Sequence, residues 1–131
     1  MAFNIVTWNI NSVRLRAELV CKLLKSEKID ILCLQECKSP VEKIPIDRFE
    51  EIGFPFTVAC GQKGYNGVAI ISRIPIKEKS VIDFAGLGHA RHISAQLENG
   101  TIIHNFYVPA GGDEPDRERN EKFDQKLKYL T

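Results

Sequence analysis

A run of polar side chains directly after an apolar segment holds the first chemically competent group of this sequence. The four apolar residues Ile31–Leu34 predict a short strand buried on both faces. Gln35, Glu36 and Lys38 follow at its carboxyl end, the rim where ligands and chemistry collect in layered α/β folds. A carboxylate held there, with a lysine two residues on, suits a hard cation such as Mg²⁺. The alternative is a solvated Glu36 carboxylate in a loose ion pair with Lys38.

A second polar turn is predicted to reach the same edge. The stretch from Phe3 to Trp8 alternates and is rich in β-forming residues, so it predicts a first strand. It ends in the polar turn 9–12, in which Ser12 is a candidate helix cap. A strand, a helix and a buried strand in this order predict parallel neighbouring strands. We therefore expect Asn9 and Glu36, far apart in sequence, to emerge at one edge.

The helix between these two strands is predicted to run to about Glu27 with a buried apolar stripe. The stripe consists of Leu15, Leu19 and Leu23, with Val20 and Leu24 beside them.

The rest of the chain predicts mostly paired strands. A short helix is expected around Asp47–Ile52, followed by paired strands at Phe54–Cys60 and Val68–Ser72 around the glycine-rich loop 61–67. An edge strand protected by lysines is expected at Lys77–Phe84. A hairpin of His92–Leu97 and Thr101–Val108 should turn at Asn99-Gly100, and a helix should run from Asp116 onward.

The composition indicates one ordinary globular domain. The chain has 131 residues, of which 44% are hydrophobic and 27% charged, and a net charge of +1. That charge does not by itself favour a nucleic-acid partner. No apolar run approaches the roughly 20 residues that span a bilayer, and no export signal is visible, so we expect no membrane and a cytoplasmic, bacterial-type setting. The four cysteines form no zinc pattern and are expected to be reduced structural thiols.

Four motifs occur in the order and at about the spacing found in exonuclease III. They are Thr-Trp-Asn-Ile-Asn-Ser-Val-Arg at 7–14, Leu-Cys-Leu-Gln-Glu-Cys-Lys at 32–38, Gly-Gln-Lys-Gly-Tyr-Asn-Gly-Val-Ala at 61–69 and Phe-Tyr-Val-Pro-Ala-Gly at 106–111. The chain therefore resembles, over essentially its whole length, the amino-terminal half of that family of apurinic/apyrimidinic endonucleases. Any one motif is moderately specific, but four in order are a strong match.

This resemblance implies an α/β fold, the amino-terminal half of a four-layer αββα sandwich with a mixed sheet and helices on the outer face. It implies hydrolysis of DNA phosphodiesters with Mg²⁺, or with Mn²⁺, on the 5′ side of abasic sites and at 3′ ends. The implied partner is double-stranded DNA that carries such sites or ends.

The resemblance also assigns roles to individual residues. Glu36 matches the metal-binding glutamate, Asn9 an asparagine beside the metal and the phosphate, and Asn11 a position near the metal where many relatives have aspartate. Tyr107 matches the active-site tyrosine that contacts the scissile phosphate, so Tyr107 and Asn9 are the predicted catalytic residues. The predicted DNA-binding residues are Arg14, Lys38, Tyr65 and Arg91.

Each assignment has a simpler alternative. Asn9 could close a turn, Tyr107 could be a core aromatic at a strand end, Arg14 a surface arginine and Tyr65 a loop aromatic. The three histidines match no motif position, so we interpret them as structural. They are His89, His92 and His104.

The departures from the family bear on activity. The family's aspartate-x-asparagine pair, its later metal aspartate and its aspartate–histidine pair have no counterpart here. The chain is therefore expected to hold half an active site and to be inactive alone. Two other functions stay open: a non-catalytic module that binds DNA or a partner, and a phosphodiesterase of the same superfold acting on a lipid or inositol phosphate.

The missing half also leads to an expectation about assembly. If the partner sheet belongs to that half, the strands starting at Ile31, Val68 and Ile102 would present a large uncovered apolar face. We therefore expect the chain to self-associate or to need a second chain.

Overall fold

The computed structural model describes residues 3–82 and 88–108 of the chain. Its elements are β1 (Ile5–Asn9), α1 (Ala17–Ser26), β2 (Ile31–Gln35), a 3₁₀ turn (Val41–Lys43), α2 (Ile46–Glu51), β3 (Phe56–Cys60), β4 (Val68–Ser72), β5 (Ile76–Ile82), β6 (His92–Leu97) and β7 (Ile102–Phe106). The helix predicted from Asp116 onward lies outside the described residues.

The first sheet is mixed, as predicted, with the strand order β1-β2-β4-β3. β1 and β2 are parallel, and their register runs from Ile5 opposite Ile31 to Asn9 opposite Gln35. β4 is antiparallel to both β2 and β3. The parallel pair confirms that the turn after β1 and the turn after β2 leave the sheet at one edge.

The first helix begins later than the sequence pattern predicts. α1 begins at Ala17, and its first residue is preceded by Arg16 rather than by a capping side chain. Leu15 and Leu19 are 76% and 52% exposed, so their predicted burial is wrong. The buried stripe consists of Ala17, Val20, Cys21 and Leu24. Ser12 does not cap α1: its hydroxyl accepts the Leu15 N–H at 3.4 Å in the turn before the helix, and its backbone N–H is bonded to the Glu36 carbonyl.

The helices cover the outer face of the first sheet. Val20 and Leu24 of α1 and Phe49 of α2 pack with Leu32 and Leu34 of β2 in one apolar cluster. Burying this much aliphatic and aromatic surface is the main force that holds the helices on the sheet.

A second sheet, formed by β5, β6 and β7, covers the inner face of the first sheet. It is antiparallel, β6 and β7 form the hairpin predicted at Asn99-Gly100, and β5 is the predicted edge strand. The apolar layer between the sheets consists of Ile31, Cys33, Val58, Val68 and Ile70 from the first sheet with Ile93, Ala95, Leu97 and Ile103 from the second. The expectation that the partner sheet lies outside the chain is therefore wrong. The chain supplies strands to both sheets because it turns back at 73–75 and lays its later strands over the earlier ones.

The uncovered surface lies instead on the inner side of β1. β7 packs on β2 and β4, while β6 packs on β3 and β4. On β1 the inward-facing Ile5 is 48% exposed, and Thr7 is exposed beside it. A groove of about 400 Å³ between β1 and β7 is lined by both residues. The expectation of uncovered apolar surface holds for this groove rather than for a whole sheet face.

No helix within residues 3–82 and 88–108 is long and apolar enough to cross a bilayer.

Asp30 ties the start of β2 to the neighbouring segments. Its buried carboxylate accepts the Asn4 backbone N–H at 2.8 Å and forms an ion pair with Arg73. The backbone hydrogen bond is the main cause that lowers the pKa of Asp30. Burial opposes this shift, while the Arg73 guanidinium adds to it. A lowered pKa means that the carboxylate stabilises the fold above the unfolded-state pKa and loses this effect as the pH falls through the native pKa.

We therefore expect Asp30→Asn to reduce the free energy of unfolding by about 1–3 kcal/mol at neutral pH. The difference from the parent should shrink as the pH falls below about 4. Urea unfolding of both proteins across this range measures it. A difference that stays constant with pH would show that the charge of Asp30 does not contribute.

Candidate active site

Hydrogen bonds beyond the strand ends join five loop segments into one rim. The bonds run from Ser12 N to Glu36 O (2.8 Å), Cys37 N to Gly67 O (3.0 Å), Lys38 N to Asn66 O (2.8 Å), Gly67 N to Ala90 O (2.8 Å) and Tyr107 N to Arg91 O (2.7 Å). They hold the loops after β1 and β2, the loop before β4 and the segments at 88–91 and 107–108 in fixed register. This rim carries the predicted site residues.

The rim is also where the backbone is strained. Within residues 3–82 and 88–108, five non-glycine residues have a positive φ, and all lie in these loops: Asn11, Ser12, Glu36, Lys38 and Asn66. Such conformations are uncommon outside glycine and persist only where surrounding structure enforces them. Their clustering at this rim points to a functional site.

Glu36 and Tyr107 meet at the centre of the rim although 71 residues separate them. The Tyr107 hydroxyl donates a hydrogen bond to Glu36 Oε1 at 3.1 Å. The Tyr107 ring packs against the apolar layer between the sheets, while its hydroxyl reaches the rim carboxylate. The Glu36 side chain is half-buried, which leaves it accessible from the solvent.

The phenol of Tyr107 is held in its protonated form. Burial is the first cause that raises its pKa, and the negative charge and hydrogen bond of Glu36 raise it further. The Arg91 guanidinium acts in the opposite direction. A raised pKa keeps the phenol neutral at physiological pH, so Tyr107 acts as a hydrogen-bond donor rather than as a proton acceptor.

Arg91 makes two contacts with Tyr107. Its guanidinium carbon lies 5.0 Å from the centroid of the Tyr107 ring, a cation–π distance. Its Nη1 also donates to the Tyr107 carbonyl at 3.2 Å. Arg91 is therefore placed to orient Tyr107, and its contact with DNA stays a prediction.

Three further predicted site residues, Asn9, Asn11 and Lys38, lie at the end of β1 and in the loops after β1 and β2. Asn9 is exposed at the end of β1, opposite Gln35 and so next to Glu36 in the sheet register. Asn11 Oδ1 accepts a hydrogen bond from the Lys38 ammonium. Lys38 therefore contacts Asn11. The alternative interpretation had been a loose ion pair between Lys38 and Glu36. The assignment of Asn9 and Asn11 as metal ligands stays a prediction.

Arg14 and Tyr65 present exposed side chains on either side of the rim. Arg14 is exposed in the turn before α1. Tyr65 is 56% exposed, and its ring meets the His89 ring edge-on with 6.4 Å between centroids. The loop below Tyr65 is held by Gln62, whose Oε1 accepts the Asn66 side-chain amide (2.9 Å) and the Ala90 N–H (2.7 Å). Both exposed groups are free to approach a large ligand.

Sequence reasoning missed two amides that join the sheets below the rim. Gln35 Nε2 donates to Thr7 Oγ1 at 2.9 Å and to Asn105 Oδ1 at 2.7 Å. Asn105 is buried between the sheets. The sequence does contain a signal for Asn105. It alternates with Ile103 and Tyr107 and so lies on the inward side of a strand, where an apolar residue is usual.

The thiols near the site are inert. Burial raises the pKa of Cys33 to about 11 and that of Cys37 to about 12. None of the four cysteines is joined in a disulfide, which agrees with reduced structural thiols.

The donors at the rim fit a magnesium ion that keeps part of its water shell. Mg²⁺ is usually bound through one or two carboxylates, with the remaining positions filled by water and substrate phosphate. Glu36 offers one solvent-accessible carboxylate, and the Asn9 amide lies at the same edge. Within the described ranges no three His, Cys, Asp or Glu side chains stand together, so these residues alone do not form a closed protein cage.

Comparison with known proteins agrees with this arrangement. The model of the endonuclease/exonuclease/phosphatase family matches residues 6–130. Exodeoxyribonuclease III of Haemophilus influenzae is 30% identical over 136 residues, which cover 96% of this chain and 48% of that protein. Recombination repair protein 1 of Drosophila melanogaster is 35% identical over 114 residues, which cover 82% of this chain and 16% of that protein.

Solved structures show the same fold. An AP endonuclease from Archaeoglobus fulgidus superimposes with a TM-score of 0.84 at 37% identity, covering 98% of this chain and 48% of that one. A 3′ phosphatase from Neisseria bound to a product DNA hairpin gives 0.84 at 34% identity, covering 98% and 49%. The chain thus spans about half the length of these two solved relatives. It belongs to the endonuclease/exonuclease/phosphatase family and corresponds to the amino-terminal half-domain of its exonuclease III and AP endonuclease members.

Proposed function

We propose that this chain carries the metal- and phosphate-binding half of a Mg²⁺-dependent DNA-repair nuclease of the exonuclease III type. The proposed reactions are cleavage on the 5′ side of abasic sites and removal of 3′-terminal nucleotides. The observation that carries the proposal is the protonated Tyr107 phenol donating to the Glu36 carboxylate at an accessible rim. The names of the relatives, an exodeoxyribonuclease and an AP endonuclease, support it.

The residues at the rim match what phosphodiester hydrolysis requires. Glu36, with Asn9 and Asn11 as the other predicted ligands, would hold Mg²⁺ or Mn²⁺, and the bound cation would neutralise charge on the phosphate oxygens. When a phosphate is bound, the Tyr107 hydroxyl would turn from Glu36 and donate its one hydrogen bond to a phosphate oxygen, while Arg91 keeps the ring in place. Lys38 and Arg14 supply positive charge for the DNA backbone, and the exposed Tyr65 ring can stack on a base.

Completion of the domain by a further polypeptide is part of this proposal. The uncovered inner side of β1 and the adjacent groove support it, since a strand placed beside β7 would cover Ile5 and Thr7. Groups that activate water and protonate the leaving oxygen would then come from the segment that the relatives have in addition. A second copy of this chain is the other possible occupant, in line with the expected self-association.

A reconstitution assay tests the proposal. The chain is mixed with the carboxyl-terminal half of the Haemophilus exodeoxyribonuclease III, and cleavage of a labelled duplex with one abasic site is followed with Mg²⁺ and with EDTA. We expect Mg²⁺-dependent cleavage by the mixture and little by either half, because positioning without water activation gives a small rate.

Other outcomes select between the alternatives. A mixture that forms a complex and binds the duplex without cutting it would favour a non-catalytic binding module. Hydrolysis of an inositol phosphate ester in preference to DNA would favour the non-DNA phosphodiesterase. Efficient abasic-site cleavage by the chain alone would show that residues within it supply the missing groups.

A further inference from the structure

A single buried amide crosses the apolar layer directly below the Glu36–Tyr107 contact. Asn105 lies on the inward side of β7 and is 3% exposed. Its neighbours on that side of the layer are aliphatic, Ile103 and Ile93 among them. A polar group in such a layer is unfavourable unless its hydrogen bonds are satisfied.

The Asn105 side chain makes three hydrogen bonds within the described part of the chain, all to the opposite sheet. Nδ2 donates to the Leu34 carbonyl at 3.0 Å and to the Ala69 carbonyl at 2.8 Å, and these two residues face each other across the β2–β4 pair. Oδ1 accepts from Gln35 Nε2 at 2.7 Å. Two donors and one acceptor at these positions require a carboxamide, and reversing the amide would point its oxygen at two carbonyl oxygens.

The hydrogen bonds of Asn105 to the first sheet form a bridge two residues before the Tyr107–Glu36 contact. Asn105 to Leu34 and Tyr107 to Glu36 are both contacts over 71 residues, and the second pair lies just past the ends of β7 and β2. The side chains of Asn105 and Tyr107 both point toward the first sheet, since Asn105 is bonded to that sheet and Tyr107 packs against the layer between the sheets. The Tyr107–Glu36 bond is half-exposed and competes with water, whereas the buried Asn105 bonds have no water to replace them.

We propose that Asn105 is a positioning residue: its bridge from β7 to β2 and β4 sets the spacing at which the Tyr107 phenol meets the Glu36 carboxylate. The Asn105 side chain is bonded to Gln35, Leu34 and Ala69 and not to the rim carboxylate. Gln35 acts in the same unit, since its Nε2 donates to Asn105 Oδ1 on one side and to Thr7 Oγ1 of β1 on the other. The assignment is structural and holds for the isolated chain, while its catalytic consequence rests on the proposed function.

The direct test measures the spacing by NMR on the chain itself. Two variants disturb the bridge while keeping the branched shape of asparagine: Asn105→Leu removes both donors and the acceptor, and Asn105→Asp removes at least one of the two donors. We expect the nuclear Overhauser effect between the Tyr107 ring and the Glu36 γ-methylene to fall several-fold, because that effect declines with the sixth power of distance. Effects between Val20 and Leu34 in the outer cluster should be kept. An unchanged Tyr107–Glu36 effect together with a lower unfolding midpoint would show that Asn105 only stabilises the fold and would overturn the proposal.

Two further variants separate positioning from general weakening. Ile103→Val removes one methylene from the same face of β7 and should lower the unfolding midpoint without changing the Tyr107–Glu36 effect. An equal loss in Ile103→Val would overturn the proposal, since any defect in the layer would then act alike. If neither Asn105 variant folds, Gln35→Met removes one of the three bonds and should give an intermediate loss. A full parent effect in Gln35→Met would count against the bridge.

The catalytic arm uses the reconstituted nuclease. We expect the Asn105 variants to lower kcat by roughly 10²-fold with KM little changed, as for a small misplacement of a catalytic group. Adding Tyr107→Phe should cause little further loss, because the two changes act on one contact. Independent, additive losses would overturn this arm. If the parent itself does not cleave DNA, the proposed function fails, while the NMR result still decides the role of Asn105.

Discussion

Replacing Glu36 with glutamine is expected to lower the rate of abasic-site cleavage by about 10³-fold and to weaken Mn²⁺ binding. The substitution keeps the size of the side chain and an oxygen that can accept the Tyr107 hydroxyl, but it removes the negative charge. A metal ion stabilises the charge of the transition state by several kcal/mol, and each 1.4 kcal/mol or so is tenfold in rate. Stability should hardly change, since a half-buried rim carboxylate supports little packing.

Two measurements check the Glu36 prediction. Electron paramagnetic resonance follows Mn²⁺ binding to the chain alone, and the reconstitution assay follows cleavage at limiting Mg²⁺. Glu42→Gln is the matched control, because Glu42 is an exposed carboxylate six residues along the chain in the 3₁₀ turn. A Glu36→Gln protein that binds Mn²⁺ and cleaves as the parent does would remove Glu36 from the metal site.

Tyr107→Phe is expected to lower kcat by about 10²-fold while leaving KM and the unfolding midpoint near their parent values. The ring that packs between the sheets and against Arg91 is kept, and only the hydroxyl is lost, which donates to Glu36 and is proposed to donate to the phosphate. Since burial and Glu36 raise the pKa of the phenol, the cleavage rate of the parent should show no ionisation of Tyr107 around neutral pH.

The pH–rate profile and steady-state kinetics of the reconstituted nuclease test this prediction. Tyr65→Phe is the control, because it removes the hydroxyl of an exposed ring outside the Glu36 contact and should leave kcat unchanged. Equal turnover of Tyr107→Phe and parent would make Tyr107 a core aromatic alone.

The elements that local patterns determine were predictable from the sequence. The apolar run Ile31–Leu34 is a fully buried strand, the β1–α1–β2 order is a parallel unit, and Asn99-Gly100 turns a hairpin. Glu36 and Tyr107 could be selected as site residues because motif and strand-end position coincide. In each case the physical cause, side-chain burial or a turn conformation, acts within a few residues.

Tertiary structure decided what depends on distant neighbours. Leu15 and Leu19 are exposed because the turn before α1 is bonded to the Glu36 loop, which places Leu15 in that turn and sets which side of α1 faces the sheet. The second sheet folds over the first, although hydrophobic periodicity shows only that each strand has an apolar face, not which sheet will cover it. The protonated state of Tyr107 and the bridge of Asn105 both depend on distant partners: Glu36 is 71 residues from Tyr107, and Leu34 and Ala69 are 71 and 36 residues from Asn105. Sequence spacing does not identify such partners, because the energy of a buried hydrogen bond or charge depends on the atoms that packing brings around it.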